Sequence, residues 1–418
     1  MDDLNVKVRV IESLRSGIPP KQGVTLYSVG HEKLIEGIKR FHLKGLGDQG
    51  IIRFISGSWG AGKTHVFCLL REAAFDDNCL VSNVELSAND TTLNKFERVF
   101  YAIIRNVSTP SASAYGDAMP FGQVLREALT FLSERSRSVN MEVSHEVFTK
   151  ASETLMSDPR IDIDFKKAIR KYWETFLAEA GEPIIQQQIR GELLQWFSGE
   201  GTIGTFRKRF GINKLINKEN AKLMLQSLSA FVRLCGYQGL LILFDEAESS
   251  YSVLKKSQLK DAHNNLLHLI NTIESIPGLF LLYATTPDFY TDPKHGIITY
   301  GALSSRIGKP EDCPPRALDV VWNLDAIPVG LEVYQLVAQK ILKIYKDAYP
   351  QYINNLPTET KVEEFVDQLF RNHPSLSPVR FWRVLTKALI AHFDDHLEGD
   401  IRPAEKLYDD IMDKLREE

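Results

Sequence analysis

One stretch of the chain has residue types and a spacing that could bind the phosphates of a nucleotide. Residues 57–64 have the sequence GSWGAGKT, which satisfies every fixed position of the pattern G-x-x-x-x-G-K-[ST]. Glycines let the backbone turn tightly, so that successive N–H groups can meet phosphate oxygens. We expect Lys63 to place a positive charge near the β- and γ-phosphates and Thr64 to offer a hydroxyl to Mg²⁺. The residues predicted to contact the nucleotide here are Gly57, Ser58, Trp59, Gly60, Ala61, Gly62, Lys63, Thr64 and His65.

Two carboxylates at the end of an apolar run could complete such a site. Residues 240–246 have the sequence LLILFDE, as expected for a buried parallel strand that presents acids at its C-terminal edge. We predict that Asp245 binds Mg²⁺, directly or through water, and that Glu246 orients and deprotonates the attacking water. The alternative is a buried strand followed by a solvated acidic turn. We disfavour it because the phosphate-binding pattern is present in the same chain.

Further polar residues are candidates for contact with the phosphates. The apolar run 279–283 is followed by Thr285 and Thr286, and either hydroxyl could bond the γ-phosphate or the attacking water. We name Thr286 as the catalytic candidate, with a plain turn at the strand end as the alternative. Arg306 could reach the γ-phosphate bound by a neighbouring subunit, or form a surface salt bridge. Arg380, near the start of a later helix, could bind phosphates or be a solvated surface charge.

An α/β fold is needed to position these residues. The glycine-rich stretch follows a short, mostly apolar, β-branched run and precedes a segment of good helix formers, which places the glycines between a strand and a helix. Further short apolar runs indicate additional buried strands. We therefore predict an α/β protein with a P-loop core and a five-stranded parallel sheet. The predicted strands are residues 51–56, 79–86, 240–245, 279–283 and 318–324.

Long helical regions interrupt and follow the predicted sheet. The interval from about residue 108 to residue 220 is almost entirely helix-prone, which favours a large helical insertion between strands. The chain after residue 326 is also helical and is predicted to form a C-terminal lid. Near the start of the chain, residues 26–30, including Val29, could pack on the base of the nucleotide or be a surface connection. The predicted domains are a helical segment on the adenine side (1–50), an α/β core with the insertion (51–326) and a helical lid (327–418).

The composition excludes several classes of protein. No run of about eighteen apolar residues is present, and the first residues lack the pattern of a signal peptide, so we expect a cytoplasmic protein without membrane contact. The four cysteines are far apart and form no C-x-x-C pair, which indicates neither a zinc site nor a disulfide framework. His392 and His396 are interpreted as part of a solvated helix face, because no third metal ligand is in view.

Two basic segments are candidates for contact with DNA. The net charge of the chain is −4, so affinity for nucleic acid would need a local basic patch. The first candidate joins Arg207, Lys208 and Arg209 to the flanking rings of Phe206 and Phe210, since aromatic side chains suit base stacking. For both candidates a solvated helix face is the alternative. The second candidate is the set Lys166, Lys167, Arg170 and Lys171.

With its P-loop, acidic strand, polar strand end, late arginine and helical lid, the chain resembles the AAA+ superfamily, and within it the origin-recognition type of ATPase. More narrowly, five motifs are similar to those of the ATP-binding proteins of BREX-type phage-defence islands, particularly the BrxD-like members. The resemblance implies an ATPase that takes part in phage exclusion and acts on, or loads onto, DNA together with a large helicase encoded nearby. The five motifs are ESLRSGIPP (12–20), SVG (28–30), GSWGAGKTH (57–65), FDEAE (244–248) and SSR (304–306).

Three functions are compatible with these residues to different degrees. The first is a Mg²⁺-dependent ATPase that forms a homo-oligomer and works on DNA or with a helicase or another defence-system protein. The second is an ATP-gated binding module in which hydrolysis is slow or absent. A small-molecule kinase is disfavoured, because two acids ending one strand and an arginine before the last strand fit attack by water. The short tail after the lid leaves no room for a winged-helix domain, so we expect any DNA contact at the basic segments.

Overall fold

The computed structural model describes residues 3–87, 91–111, 120–132, 143–177, 181–246, 254–372 and 378–417. The chain divides into two compact units, and each is assembled from segments that are distant in sequence. Unit 1 comprises Met1–Gly37, Ile55–Ala73 and Pro310–Glu418, and unit 2 comprises Ile38–Phe54 and Ala74–Lys309.

Most of the chain is helical. Among the described residues no helix is long and apolar enough to cross a lipid bilayer. In the described part of the chain the α-helices are α1 (Asp3–Arg15), α2 (Glu32–Ile38), α3 (Lys63–Asp76), α4 (Phe96–Asn106), α5 (Pro120–Leu132), α6 (His145–Ser157), α7 (Ile163–Glu174), α8 (Pro183–Phe197), α9 (Ile203–Phe210), α10 (Ala221–Leu234), α11 (Lys256–Thr272), α12 (Asp288–Thr291), α13 (Gly301–Ile307), α14 (Leu331–Ala348), α15 (Glu359–Asn372), α16 (Pro378–Glu398) and α17 (Ala404–Glu417).

The strands belong to one mixed sheet. The strands are β1 (Ile51–Ser56), β2 (Leu80–Glu85), β3 (Val107–Ser108), β4 (Leu240–Asp245), β5 (Leu279–Thr285) and β6 (Val321–Asn323). Their order across the sheet is β3-β2-β4-β5-β1-β6. Within unit 2, β4 pairs in parallel with both β2 and β5. Nearly every residue of β4 and β5 is buried, as expected for apolar parallel strands that are covered on both faces.

In the described part of the chain the sheet has six strands, rather than the five parallel strands that the sequence predicted. The additional strand, β3, is only two residues long and pairs antiparallel with Val81 and Ser82 of β2. It begins where α4 ends, because Val107 has an extended backbone. The hydroxyl of Ser108 also donates to the carbonyl of Val81 at 3.0 Å. A pairing this short leaves no periodic pattern in the sequence.

Unit 1 has an apolar core built from the first and the last helices of the chain. Its buried residues include Val10 of α1, Ile341 of α14 and Leu385 of α16, and Leu69 of α3 belongs to the same cluster. A carboxylate on α16 also ties three of these helices together. Asp394 accepts two N–H groups of Arg15 at 2.8 and 3.1 Å and the hydroxyl of Tyr345 at 2.5 Å.

The helices of unit 2 between β3 and β4 enclose an aromatic core. Phe165 and Phe197 pack edge to face, with ring centroids 5.0 Å apart. The indole N–H of Trp173 donates to the carbonyl of Leu125 at 2.7 Å, and that of Trp196 donates to the carbonyl of Lys214 at 3.0 Å. Buried indoles of this kind stabilise a core only if their N–H groups find acceptors. The described part of this region therefore forms a well-packed helical layer.

Candidate functional site

The loop between β1 and α3 turns tightly at two glycines. Gly60 and Gly62 have φ values of +79° and +93°, in the left-handed region that glycine tolerates best. The N–H of Ala61 donates to the carbonyl of Ser58 at 3.0 Å, which closes the turn. The loop ends at the N-terminus of α3, where the first N–H groups lack intrahelical acceptors and the helix dipole is positive.

The side chain of Lys63 reaches back to the start of this loop. Its Nζ donates to the carbonyl of Gly57 at 2.7 Å and to that of Ser58 at 3.3 Å, and the residue is buried. Thr64, in the first turn of α3, is exposed, and Trp59 on the loop is 67% exposed. A cation placed beside a helix N-terminus can stabilise a negatively charged group such as a polyphosphate.

His65 connects the start of α3 to the segment predicted to lie beside the base. Its Nε2 is 2.9 Å from the hydroxyl of Ser28, and its Nδ1 is 3.5 Å from the hydroxyl of Tyr27. Burial, together with the neighbouring His31, lowers the pKa of His65 to about 3. The imidazole is therefore neutral at pH 7 and acts as a hydrogen-bonding and packing group rather than as a cation.

Two residues that the sequence analysis missed anchor this segment within unit 1. Glu72 of α3 accepts the backbone N–H groups of Val24 at 2.9 Å and Thr25 at 3.2 Å. Lys340 of α14 donates to the carbonyl of Ser28 at 2.7 Å. Val29 is half-buried and packs against the apolar core of unit 1. The segment is thus fixed to the same helix that carries Lys63 and Thr64.

The predicted acidic pair lies at the C-terminal end of β4 in unit 2. Asp245 is half-buried and stands in register with Glu85 of β2, so two carboxylates end adjacent strands. Glu246 is exposed and has a φ of +53°, which is unusual for a residue with a side chain. Its N–H donates to Oδ1 of Asp245 at 3.0 Å. Backbone strain of this kind is often found at functional positions.

The neighbouring strand, β5, leads into the two threonine candidates. β5 ends at the same edge as β4, since Phe244 pairs with Tyr283. The hydroxyl of Thr285 is buried and donates to the hydroxyl of Tyr290 at 3.0 Å, so Thr285 serves the core. Thr286 follows it, and its carbonyl accepts the N–H of Phe289 at 3.1 Å. Thr286 is also buried, and contact of its hydroxyl with a phosphate or with water stays a prediction.

The donor atoms predicted for the metal suit Mg²⁺. The sequence prediction names the hydroxyl of Thr64 and the carboxylate of Asp245, and both are hard oxygen donors of the kind that this ion prefers. Within the described ranges no group of three or more histidine, cysteine or acidic residues could hold a metal ion by itself. Mg²⁺ usually keeps several water ligands and shares substrate phosphate oxygens, which needs few protein donors. When bound, it neutralises charge on the phosphates.

The two candidate arginines lie in different units. Arg306 is exposed in the last turn of α13, in unit 2, and one of its terminal nitrogens donates to Oδ1 of Asn271 on α11. This contact leaves the guanidinium at the surface of unit 2. Arg380 lies in the first turn of α16, in unit 1. Contact of either residue with phosphates stays a prediction.

The first basic segment is exposed, but its aromatic residues are not. Arg207 and Lys208 of α9 are exposed, whereas Phe206 and Phe210 are buried in unit 2. The predicted base stacking on these two rings is therefore wrong, because the rings serve the core. Arg209 is bound by Glu192 of α8.

The second basic segment is occupied by contacts within the protein. Lys166 is buried and donates to the carbonyl of Met156 at 3.0 Å. Lys167 and Lys171 bond Asp164 and Glu174 at 3.4 and 2.5 Å. These contacts favour a structural role for the segment.

His392 does not lie on a solvated helix face, contrary to the sequence prediction. Its ring is buried and stacks on Phe365 with centroids 4.1 Å apart. Burial lowers the pKa of His392 to about 4, so the ring is neutral at pH 7. The nearby carboxylate of Asp395 accepts two N–H groups from the side chain of Arg402 at 2.7 and 2.9 Å. The sequence signal for a metal site thus reflects core packing and an ion pair.

Comparison with known proteins adds to this description. A family model described as "BREX system ATP-binding protein BrxC/D" matches residues 5–413, which is nearly the whole chain. No curated protein matches the sequence. The residues matched include the glycine-rich loop and the acidic strand described above. The chain therefore belongs to the family of BREX system ATP-binding proteins BrxC/D.

Proposed function

We propose that this protein is an AAA+ ATPase of BREX phage defence that binds ATP with Mg²⁺ and hydrolyses it to ADP and phosphate. Family membership implies ATP binding and a role in phage defence. The observation that carries the proposal is the position of Lys63, the first residue of α3, whose ammonium is held by two carbonyls at the start of the loop. This combination of cation, glycine turns and helix dipole suits a polyphosphate better than a singly charged ligand.

The acidic pair supports hydrolysis over phosphate transfer to another acceptor. In the proposed reaction, the oxygen of a water molecule attacks the γ-phosphorus, and its proton passes to Glu246. The bond between the γ-phosphorus and the β–γ bridging oxygen breaks, and ADP takes the electron pair. Lys63 stabilises the charge on the phosphate oxygens during this step. Asp245 and Thr64 are the proposed protein ligands of Mg²⁺.

Measuring phosphate release tests this function against the ATP-gated binding module. Purified protein would be supplied with ATP and Mg²⁺ over a wide range of protein concentrations, with and without DNA. We expect phosphate release by the wild type and none by Lys63→Ala. The rate of release per protein molecule should rise with protein concentration, because a homo-oligomer is proposed. ATP binding without release would favour the binding module. A Lys63→Ala variant that binds and hydrolyses ATP as the wild type does would contradict the role proposed for Lys63.

Arg306 of one subunit is proposed to contact the γ-phosphate that is bound by a neighbouring subunit. A guanidinium suits this task because it spreads positive charge over a planar group that can bond two phosphate oxygens. Arg306→Ala should lower the rate of hydrolysis without weakening ATP binding. A rate per molecule that does not depend on protein concentration would contradict the role between subunits.

DNA, or a DNA helicase of the same defence system, is the proposed partner. The exposed cations Arg207 and Lys208 support a contact with the phosphate backbone of DNA, which needs positive charge but no stacking. A helicase or another defence-system protein is proposed on the basis of the family alone.

A further inference from the structure

The loop that holds Lys63 contacts a second segment of unit 1 that lies far along the chain. Directly after β6, Leu324–Ala326 form a single 3₁₀ turn. The two carboxylate oxygens of Asp325 accept the backbone N–H of Ser58 at 2.9 and 3.2 Å. The hydroxyl of Ser58 also donates to this carboxylate at 2.9 Å. A negative side chain is therefore bound to the second residue of the phosphate-binding loop.

Asp325 and Lys63 bond opposite ends of one peptide unit. The carbonyl of Gly57 accepts Nζ of Lys63 at 2.7 Å, and the N–H of the same peptide, carried by Ser58, donates to Asp325. A trans peptide is planar, so a partner that fixes its N–H direction also fixes the direction of its C=O. Hydrogen bonds in such a chain polarise one another, which makes the carbonyl a better acceptor for the ammonium.

From this geometry we propose that Asp325 is a positioning residue for Lys63. Its carboxylate orients the Gly57–Ser58 peptide, and that peptide holds the ammonium where the β- and γ-phosphates bind. The inference rests on the proposed function, since it concerns the same nucleotide site. Alternatively, the carboxylate of Asp325 could compete with phosphate for the loop N–H groups. The two roles predict opposite effects of losing the carboxylate on ATP affinity. Loss of a positioning carboxylate weakens ATP binding, whereas loss of a competing carboxylate strengthens it.

The turn that carries Asp325 is held in place by hydrogen bonds that do not involve the Asp325 carboxylate. The N–H of Asp325 donates to Oδ1 of Asn323 at 3.2 Å, and the side-chain amide of Asn323 donates to the carbonyl of Glu311 at 2.8 Å. Leu324 is buried, whereas Asp325 is exposed. Substitution of an exposed side chain on an anchored turn should leave the fold intact.

The test measures the affinity of the full-length protein for ATP in Asp325→Ala and Asp325→Asn. In Asp325→Ala we expect ATP to bind about 5- to 30-fold more weakly, because a charge-assisted hydrogen bond to the loop is lost. Asp325→Asn keeps a carbonyl oxygen for the Ser58 N–H, so it should restore part of the loss. Asp319→Ala is the matched control, because Asp319 is an acidic residue of the same unit that bonds Arg316. It should bind ATP as the wild type does.

Binding of ADP separates positioning of Lys63 from a general disturbance of the loop. ATP gains more than ADP from a cation near the β- and γ-phosphates, so Asp325→Ala should lose several-fold more affinity for ATP than for ADP. Equal losses for the two nucleotides, or ATP binding as strong as or stronger than that of the wild type, would overturn the inference. If Asp325→Ala does not fold, Asp325→Asn decides by the same comparison. A wild-type protein that ignores ATP would remove the proposed function as well.

Discussion

Gly62→Ala is a substitution whose effect on ATP binding can be worked out from the backbone. Gly62 has a φ of +93°, and a Cβ at this position would approach only the Cβ of His65, at 4.0 Å. The cost of alanine is therefore backbone strain rather than a steric clash. A left-handed conformation costs an L-residue about 1–2 kcal/mol. In the free protein the loop can relax, so the strain should appear mainly when ATP requires the native turn.

We expect Gly62→Ala to bind ATP about 5- to 30-fold more weakly, which is that strain converted into an affinity ratio. Titration calorimetry gives the dissociation constant directly. Trp59 gives a second signal, because this residue is 67% exposed on the same loop. The fluorescence of the protein should change when ATP binds, and this change should be lost in Trp59→Phe.

Gly399→Ala is the matched control for this prediction. Gly399 also has a positive φ, +80°, and a Cβ there would meet no atom within 4 Å. It lies between α16 and α17, so the same strain should lower the free energy of unfolding but leave ATP affinity unchanged. A folded Gly62→Ala protein that binds ATP like the wild type would refute the reasoning, as would an equal loss of affinity in Gly399→Ala.

Two further predictions concern acid stability and DNA. The pKa of His392 is about 4 in the folded protein, so at pH 5–6.5 the unfolded chain binds this proton more strongly than the folded chain does. Lowering the pH from 6.5 to 5 should therefore reduce the free energy of unfolding by about 1.6 kcal/mol. In His392→Phe, urea unfolding at the two pH values should show a correspondingly smaller difference, and an unchanged difference would contradict the assignment. Reversing both charges in Arg207→Glu/Lys208→Glu should weaken DNA binding and reduce the slope of log K against log salt by about two. Lys260→Glu, on exposed Lys260 of α11, is the control, and equal losses in both proteins would argue against a DNA contact at α9.

The parts of the site that are local in sequence could be predicted from the sequence. The glycine-rich loop needs a tight turn between a strand and a helix, and residues 57–64 encode that turn within eight positions. The acidic strand is likewise encoded by a continuous apolar run that ends at Asp245. Strand β3 was missed because two residues carry no periodicity.

Contacts between distant segments were not predictable from one sequence. Asp325 is 267 positions from Ser58, and no local pattern links them. The burial of His392 depends on Phe365 of another helix. Its spacing from His396 on the same helix therefore gave no sign that the ring is buried. Phe206 and Phe210 are different, because their i, i+4 spacing is typical of the buried face of an amphipathic helix. This spacing was visible in the sequence, and it favours burial of the two rings over base stacking.

Glu246→Gln tests the proposed catalytic role most directly, because glutamine keeps the size and polarity of the side chain but removes the base. Binding of ATP and release of phosphate would be measured on the same preparation. We expect ATP affinity like that of the wild type and a rate of hydrolysis lower by a factor on the order of 10² to 10⁴, the usual contribution of a general base. Hydrolysis by Glu246→Gln at the wild-type rate would contradict that role.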